Sequence, residues 1–424
     1  MNATAPDRQV SPKVYGLPTE LTKYAGKIMD VDSHEMLPVQ EWLKVFGEDI
    51  RPMAEYYLEH GETEDVDRNT VNVRDYPGDV REIREDIGEV KGSRAPGAVD
   101  MQRRVDAVRA LGIRRQLVYP SNPAVYAMFL YRYSNNSKML TFAKGTSEER
   151  RAKARRILEM HNELLASAAN VSDSIRPAPL LFGDSPQQIL ARAQAFVKRG
   201  VRALWLFPSG ELPGNTSPAH SDFDPLYAFL AESNTALVLH IAGEGNFLNS
   251  EAWDKAPSFE GHIRHVEFSR SPWFTAKMHL EVENFVTIMV MGGVFDRHPM
   301  LRFGAIETTA YWVGPLARRL DMWWNLDKGI INAPRLGQVT PYRLPEKPSF
   351  YLNRNLRVTP FFFENMAYDF EHYNIPDTLC YSSDYPHVEG GKNSIKVHFD
   401  KIKHLGEQVL EKYFVTNGSW LLPD

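Results

Sequence analysis

The chain has 424 residues, of which 43% are hydrophobic, so it is long enough to bury a large core. Length alone would allow two or three domains, but α/β barrels often use this much chain as one domain. The formal net charge of -5 gives no electrostatic basis for binding nucleic acid or an anionic membrane surface. We therefore expect no nucleic-acid or membrane partner and expect a small-molecule substrate.

Cysteine content and the N-terminus bear on the compartment. Cys380 is the single cysteine, so no internal disulfide can form, which fits a reducing environment. The first residues lack the apolar core of a signal peptide, and no apolar run is long enough to span a bilayer. We therefore expect a cytoplasmic protein.

Residues 1–26 are rich in Pro, Thr and Lys and show no clear period, which predicts an N-terminal arm. From there on, short apolar runs alternate with segments of helical period, and we predict one domain over residues 27–424. Two stretches, residues 60–99 and 241–273, exceed normal loop length. Such loops are usually lids or interface elements, with surface decoration as the alternative.

Eight short segments are nearly continuous in apolar residues, which is typical of parallel strands buried on both faces. In chain order they are residues 28–32, 115–119, 178–182, 203–207, 236–240, 302–306, 360–363 and 379–383.

Helical patterns separate these strands. Two of them, beginning at Val99 and Ser185, end at Gly112 and Gly200, where left-handed helix termination is expected. A third pattern begins at Asp224, and three later ones cover residues 275–295, 312–324 and 409–414. Eight strands alternating with helices predict an α/β fold, a single closed (β/α)8 TIM barrel, with an open doubly wound sheet as the alternative.

Ionisable residues stand at the ends of three predicted strands. Asp32 and His34, where the first strand ends, are two residues apart, so their side chains point the same way on an extended backbone. His240 ends the fifth strand, and Asp384 follows the eighth. Active sites of α/β barrels lie at the carboxyl ends of the strands, so these four residues would meet at one mouth. The combination predicts a metal site, although each residue alone would also suit a turn or a core position.

The runs MDVDSH, LVLHIAG, GGVFDRHPMLRFGAIE and SSDYPHVEGG resemble the amidohydrolase superfamily. The resemblance covers about residues 29–417, and its nearest branch is that of aminocarboxymuconate-semialdehyde decarboxylase and the resorcylate decarboxylases. It implies a distorted barrel that holds a divalent metal on strands one, five and eight. It also implies hydrolysis or non-oxidative decarboxylation of a small carboxylated or cyclic substrate.

The match to the superfamily is uneven. Its first motif is usually His-x-His, and here it is Asp32-Ser33-His34. Its fifth-strand histidine matches His240, its eighth-strand aspartate matches Asp384, and its sixth-strand histidine is replaced by Glu307. The resemblance thus implies a metal-ligand set of Asp32, His34, His240, Glu307 and Asp384.

Three residues are candidates for proton transfer: Asp384, Glu307, and His387 in the run SDYPH. The role of Glu307 depends on the number of ions. Next to two cations it would be a ligand, whereas beside one ion it would lie among like charges and serve as an acid/base residue.

The ligand set also bears on the metal. With two imidazoles and three carboxylates, one divalent ion would leave a net charge of -1 and two ions would give +1. Oxygen-rich donors suit Mn and Fe at least as well as Zn, so we expect Zn or Mn, with Fe or a dinuclear Mn/Fe centre as alternatives.

These observations favour a metal-dependent hydrolase or carboxy-lyase. The resemblance also allows a dinuclear Fe or Mn/Fe monooxygenase that hydroxylates an aliphatic carbon, or a partner subunit of such an enzyme. A homodimer or a complex with a related subunit is expected in either case.

Overall fold

The computed structural model describes residues 13–60, 82–135, 143–208, 212–241, 256–259, 276–325 and 344–424. Its strands are β1 (Ile28–Asp30), β2 (Ile113–Val118), β3 (Ile175–Pro177), β4 (Leu180–Leu181), β5 (Ala203–Leu206), β6 (Ala236–His240), β7 (Phe303–Ile306) and β8 (Leu356–Val358). Neighbouring strands pair in parallel in two groups, β1 to β3 and β4 to β8.

Helices connect and surround these strands. They are α1 (Val39–Phe46), α2 (Arg51–His60), α3 (Met101–Ala110), α4 (Asn122–Arg132), α5 (Ser147–Ala168), α6 (Pro186–Lys198), α7 (Asp224–Glu232), α8 (Leu280–Met291), α9 (Val294–Arg297), α10 (Val313–Asn325), α11 (Pro348–Asn355), α12 (Met366–His372), α13 (Ser394–Ile402), α14 (Glu407–Glu411) and α15 (Asn417–Leu421). In the described part of the chain, no helix is long and apolar enough to cross a membrane.

The two strand groups form one barrel. Only Ala178 and Pro179 separate β3 from β4. The amide of Ala178 donates to Val118 at the end of β2, and the carbonyl of Pro179 accepts from Trp205 of β5. β3 and β4 are therefore one interrupted barrel strand, which pairs with β2 on one side and β5 on the other.

Residues 379–385, the closing segment, complete the circle between β8 and β1. The amide of Cys380 donates to Val358 (3.0 Å), and the carbonyl of Tyr381 accepts from Val31 (3.2 Å). The segment is bridged to its neighbours at Leu379 and Tyr385 without forming a continuous ladder. The predicted distorted (β/α)8 barrel is thus confirmed.

The seventh predicted strand, residues 360–363, was placed wrongly. The strand is β8, and residues 360–363 follow it as a turn. The amide of Phe361 donates to the side chain of Glu364 (2.7 Å) rather than to a neighbouring strand. Apolar character alone could not separate this run of aromatic residues from a strand.

The predicted helix over residues 275–295 is shorter than expected. It begins at Leu280 and ends at Met291, and α9 follows after a break. Gly293 has a φ of 74°, which an L side chain adopts only with strain, so the pattern of helical period continues past a real helix end. Gly112 and Gly200 also have positive φ, as the sequence predicts.

Side chains of the strands alternate between two apolar layers. Leu204 and Leu237 face the surrounding helices, whereas Trp205 and Val238 fill the barrel interior. His240 shares the parity of Val238 and therefore points into the mouth of the barrel. Its position is thus a direct consequence of the strand period.

The predicted arm and long stretches are described in part. Residues 13–26 pack on the barrel, with Leu21 and Tyr24 buried in its core. Residues 82–99 of the first long stretch are described, whereas residues 61–81 and most of the second stretch lie outside the described residues.

Barrel closure depends on a buried carboxylate, that of Asp30 on β1. It accepts a hydrogen bond from Nε2 of Gln116 on β2 (2.7 Å) and two from Ser383 of the closing segment, through its amide (2.8 Å) and its hydroxyl (2.5 Å). Burial raises the pKa of Asp30 to about 6, against the opposing effect of these hydrogen bonds. One side chain therefore ties together three neighbouring barrel strands.

We predict that Asp30→Ala lowers the free energy of unfolding by about 3 kcal/mol, because it leaves buried donors of Gln116 and Ser383 without an acceptor. Urea denaturation measures the change. Asp400→Ala is the matched control, since that carboxylate is exposed and pairs only with surface lysines. Equal stability of the two variants would show that Asp30 does not hold the barrel closed.

Candidate metal centre

All five predicted ligands lie at the carboxyl end of the barrel. Asp32 and His34 follow β1, His240 is the last residue of β6, and Glu307 follows β7. Asp384 stands near the end of the closing segment. All five residues are at least 94% buried. The structure thus brings together residues that are far apart in the sequence.

Four of these residues form the tighter group, called here the first donor group: Asp32, His34, His240 and Glu307. Each offers one nitrogen or oxygen atom, and the four atoms lie within 4.8 Å of one another. Nε2 of His240 lies 3.4 Å from the Asp32 carboxylate and 3.0 Å from that of Glu307. Two imidazoles and two carboxylates at these distances match the donor types that bind Zn, Mn or Fe.

A second donor group lies beside the first and consists of Asp384, His387 and Glu389. Nδ1 of His387 lies 3.4 Å from Asp384 and 3.5 Å from Glu389. The His387 ring stacks on that of His34 at a centroid distance of 3.8 Å, and Asp384 approaches Nε2 of His34 at 3.4 Å. The two groups therefore share one buried site.

Many polar atoms of the site lack a hydrogen bond. These atoms are both carboxylate oxygens of Asp32 and of Asp384, both ring nitrogens of His34 and of His387, Nε2 of His240 and Oε2 of Glu389. Burying polar groups without partners costs free energy unless another group coordinates them. In contrast, Nδ1 of His240 is paired with the carbonyl of Ile241 (2.9 Å), which aims Nε2 at the centre. The donor set thus fits a divalent cation.

The first donor group carries strong opposing electrostatic effects. Burial would raise the pKa of Asp32, but the imidazoles of His240 and His34 lower it to about 2. Burial would lower the pKa of His240, but Asp32 and Glu307 raise it to about 10. Burial raises the pKa of Glu307 to about 7, despite the opposing effect of the His240 imidazole, whose Nε2 lies 3.0 Å from the carboxylate. The carboxylates therefore compete for the few positive charges within reach.

The same competition operates in the second donor group. Burial raises the pKa of Asp384 well above its usual value, and the charge of Glu307 adds to this. Burial would raise the pKa of Glu389 too, but His387 lowers it to about 2. A divalent ion would relieve this competition, because it stabilises the ionised form of every carboxylate around it.

Two of the five predicted ligands have unusual backbone conformations. Glu307 has a φ of 55° and Asp384 a φ of 50°, both in the left-handed region that non-glycine residues rarely occupy. The Glu307 amide donates to Oγ1 of Thr359 (2.9 Å), and the Asp384 amide donates to the carbonyl of Asp32 (2.9 Å). Such strain persists where the surroundings enforce it, and it is common at functional sites.

Buried polar residues outside the donor groups hold these loops. Arg104 on α3 donates to the backbone carbonyls of His34 and Gly97 and to the side chain of Gln116. Glu364 accepts hydrogen bonds from the amides of Ala310 and Tyr311, directly after the Glu307 turn. The loop after β1 is held by Glu35, whose carboxylate is bound by Ser121 and His161.

Sequence reasoning missed Glu389 and these supporting residues. Glu389 stands two residues after His387 in the run SSDYPHVEGG, so its short spacing was an available signal. Nothing in the sequence marks Arg104, Glu364 or His161, because their role depends on contacts between distant segments.

Similarity to known proteins identifies the family of this chain. Residues 137–419, about two thirds of the chain, match the family model described as Amidohydrolase. The chain belongs to this family. No protein of curated function matches the sequence.

Solved structures share the fold at low sequence identity. An amidohydrolase from Mycobacterium avium subsp. paratuberculosis is 17% identical, with 93% of this chain and 99% of that chain covered and a TM-score of 0.63. A manganese-bound 5-carboxyvanillate decarboxylase from Novosphingobium aromaticivorans is 17% identical, with 97% and 99% covered and a TM-score of 0.54. A 2,6-dihydroxybenzoate decarboxylase from Rhizobium is 17% identical, with 77% and 89% covered and a TM-score of 0.53. At this identity the likeness establishes the fold.

We predict that His240→Ala lowers the affinity for a divalent metal by about 100-fold or more, because a lost ligand is not replaced without rearrangement. Metal analysis after dialysis measures the bound ion. His220→Ala is the matched control, since His220 is half-exposed and pairs with Asp222 outside the site. Full metal content in both variants would contradict the assignment of His240.

Proposed function

We propose that this protein is a metal-dependent amidohydrolase-family enzyme that decarboxylates, or alternatively hydrolyses, a small carboxylated or cyclic substrate. The observation that carries the proposal is the buried set of unpaired carboxylates and imidazoles at the carboxyl end of the barrel. That end is where catalytic residues of α/β barrels lie.

The geometry supports two different roles within the predicted ligand set, metal binding and proton transfer. The first donor group would hold the ion, since its four donor atoms all lie within 4.8 Å of one another. Asp384 lies outside this group, with His34 and His387 in one further set of donors and with Glu307 and Glu389 in another. We therefore assign Asp384, together with His387, to proton transfer. We assign Glu307 as a ligand even of a single ion, contrary to the expectation from the sequence that beside one ion it would act as an acid/base residue, because it lies with Asp32, His34 and His240.

When bound, a divalent ion supplies Lewis-acid chemistry: it polarises a substrate carboxylate or carbonyl and lowers the pKa of a water molecule. In decarboxylation, the bond between the carboxyl carbon and the substrate breaks, CO2 leaves, and the remaining carbon takes up a proton. Asp384 and His387, 3.4 Å apart, are placed to deliver that proton. In hydrolysis the same pair would accept a proton from the attacking water.

The two decarboxylases with the same fold act on carboxylated phenols, as their names state. This supports a hydroxylated aromatic acid as the substrate class. The metal is proposed to be Mn or Zn, because the first donor group combines nitrogen and oxygen donors and one of the relatives holds manganese.

A panel of hydroxylated benzoates, incubated with the Mn-loaded or Zn-loaded protein, should release CO2 from at least one member. Chelation should abolish the release and added metal should restore it, because the proposed chemistry requires the ion. Headspace CO2 measurement checks this, with a parallel panel of lactones and amides for hydrolysis. Turnover that persists unchanged after complete removal of metal would refute the proposal.

The oxygenase alternative requires two redox-active ions. Asp384 and Glu389 do offer two further carboxylates, each with an oxygen atom within 4.8 Å of the Glu307 carboxylate. None of the relatives described above is named as an oxygenase, and we therefore favour a centre with one ion. Association as a homodimer or with a related subunit stays a proposal that sedimentation analysis would test.

The division of labour predicts different behaviour for two conservative variants. Glu307→Gln should weaken metal binding by about 10-fold or more, because it removes a charged ligand. Asp384→Asn should keep the metal but lower kcat by about 100-fold or more, because the amide cannot carry the proton. Metal titration and steady-state kinetics on both variants check this. Loss of metal from Asp384→Asn with retention in Glu307→Gln would reverse the assignment.

A further inference from the structure

Residues 82–99, the described part of the first long stretch, support the turn that carries Asp384. The amide of Gly92 donates to the carbonyl of Pro386 (2.8 Å), and the hydroxyl of Tyr385 donates to the carbonyl of Pro96 (2.7 Å). On the far side, the amide of Asn393 donates to Gly88 (2.9 Å). This segment is therefore packed against the back of the second donor group rather than being surface decoration.

Lys91 is the one buried lysine of this segment, with only 5% of its surface exposed. It lines a small cavity of about 30 Å³ together with Ser383 and Tyr385, the two residues that flank Asp384. Within the described residues, no carboxylate forms an ion pair with its amine. A lysine buried in this way is unusual, because removing an ammonium from water is costly unless nearby negative charge offsets the loss.

Negative charge near Lys91 comes from three carboxylates. Burial lowers the pKa of Lys91, and the carboxylates of Asp384, Glu389 and Asp30 act in the opposite direction. These groups reach Lys91 from the closing segment, from the turn after it and from β1. The amine thus lies within electrostatic reach of the second donor group without being one of its members.

The net charge of the site indicates what a positive charge at Lys91 would do. The two donor groups together hold four carboxylates, those of Asp32, Glu307, Asp384 and Glu389. With all four ionised and the two imidazoles of the first donor group neutral, one divalent ion leaves an excess of two negative charges, or of one when His387 is protonated, since Asp384 and Glu389 raise the pKa of His387. A buried ammonium beside the residues that flank Asp384 reduces this excess further, whereas a second divalent ion would have to bind against its repulsion.

We propose that Lys91 is a positioning residue of the metal centre, whose buried ammonium takes the place of a second cation and limits the site to one divalent ion. This inference rests on the proposed metal site. It also gives the segment that carries Lys91 a role in the chemistry of the centre. Because the charge is buried, its effect should persist at high ionic strength, where surface charges are screened.

The test is a titration of the metal-free protein with Mn²⁺, in which affinity and stoichiometry are measured for the wild type, Lys91→Met and Lys91→Arg. Removing the ammonium should tighten Mn²⁺ binding by about tenfold, equivalent to about 1.4 kcal/mol, and should allow a second ion to bind. Lys91→Arg keeps the charge and should retain one ion with the wild-type affinity. Lys396→Met, on α13, is the control, since Lys396 is exposed and pairs with Asp400.

Unchanged or weaker Mn²⁺ binding in Lys91→Met, with thermal unfolding of the metal-free protein like that of the wild type, would overturn the inference. Should Lys91→Met fail to fold, Lys91→Gln takes its place as the variant without the charge, and two ions in the wild type or in Lys91→Arg would also overturn the inference. If the wild type binds no Mn²⁺ or Zn²⁺ at all, the proposed function itself fails. The two failures are therefore distinguishable.

Discussion

Four carboxylates and three imidazoles share one buried site. Even with every imidazole protonated, their positive charges would not balance the negative charges of the four carboxylates. Asp32, Glu307, Asp384 and Glu389 compete for positive charge, and most of their oxygen atoms, like the ring nitrogens beside them, lack hydrogen bonds. Free carboxylates at these distances repel each other and are costly to bury. The fold must therefore hold them together, and a cation is what would make the arrangement favourable. The residues around the site hold these side chains in place.

The barrel holds the carboxylates and imidazoles together through buried hydrogen bonds as well as through apolar packing. Asp30 links β1 to β2 and to the closing segment, and Arg104 holds the carbonyl of His34 from behind. Glu364 fixes the turn after Glu307, where the backbone adopts left-handed conformations. These ties are strong because each joins a charged group to neutral donors or acceptors in a dry interior. Donor atoms are thus held in place before any ion binds, which favours rapid and specific binding.

Much of this could be read from the sequence, for a definite physical reason. Parallel strands buried on both faces are continuous apolar runs, and the polar residues that end such runs fall at one end of the barrel. That reasoning placed Asp32, His34, His240 and Asp384 at one mouth, and the resemblance to the amidohydrolase superfamily added Glu307. It was wrong for residues 360–363, because a buried aromatic turn has the same apolar character as a strand. It could not find Lys91 or Arg104, whose importance comes from contacts across many residues of chain.

The central claim is that the first donor group binds a divalent ion. Anomalous diffraction from crystals of the Zn-loaded or Mn-loaded protein tests it most directly. We predict one strong peak, about 2.1 Å from the carboxylates of Asp32 and Glu307 and from Nε2 of both His34 and His240. Well-ordered density for these side chains with no anomalous peak among them, or a peak held only by surface carboxylates, would contradict the account.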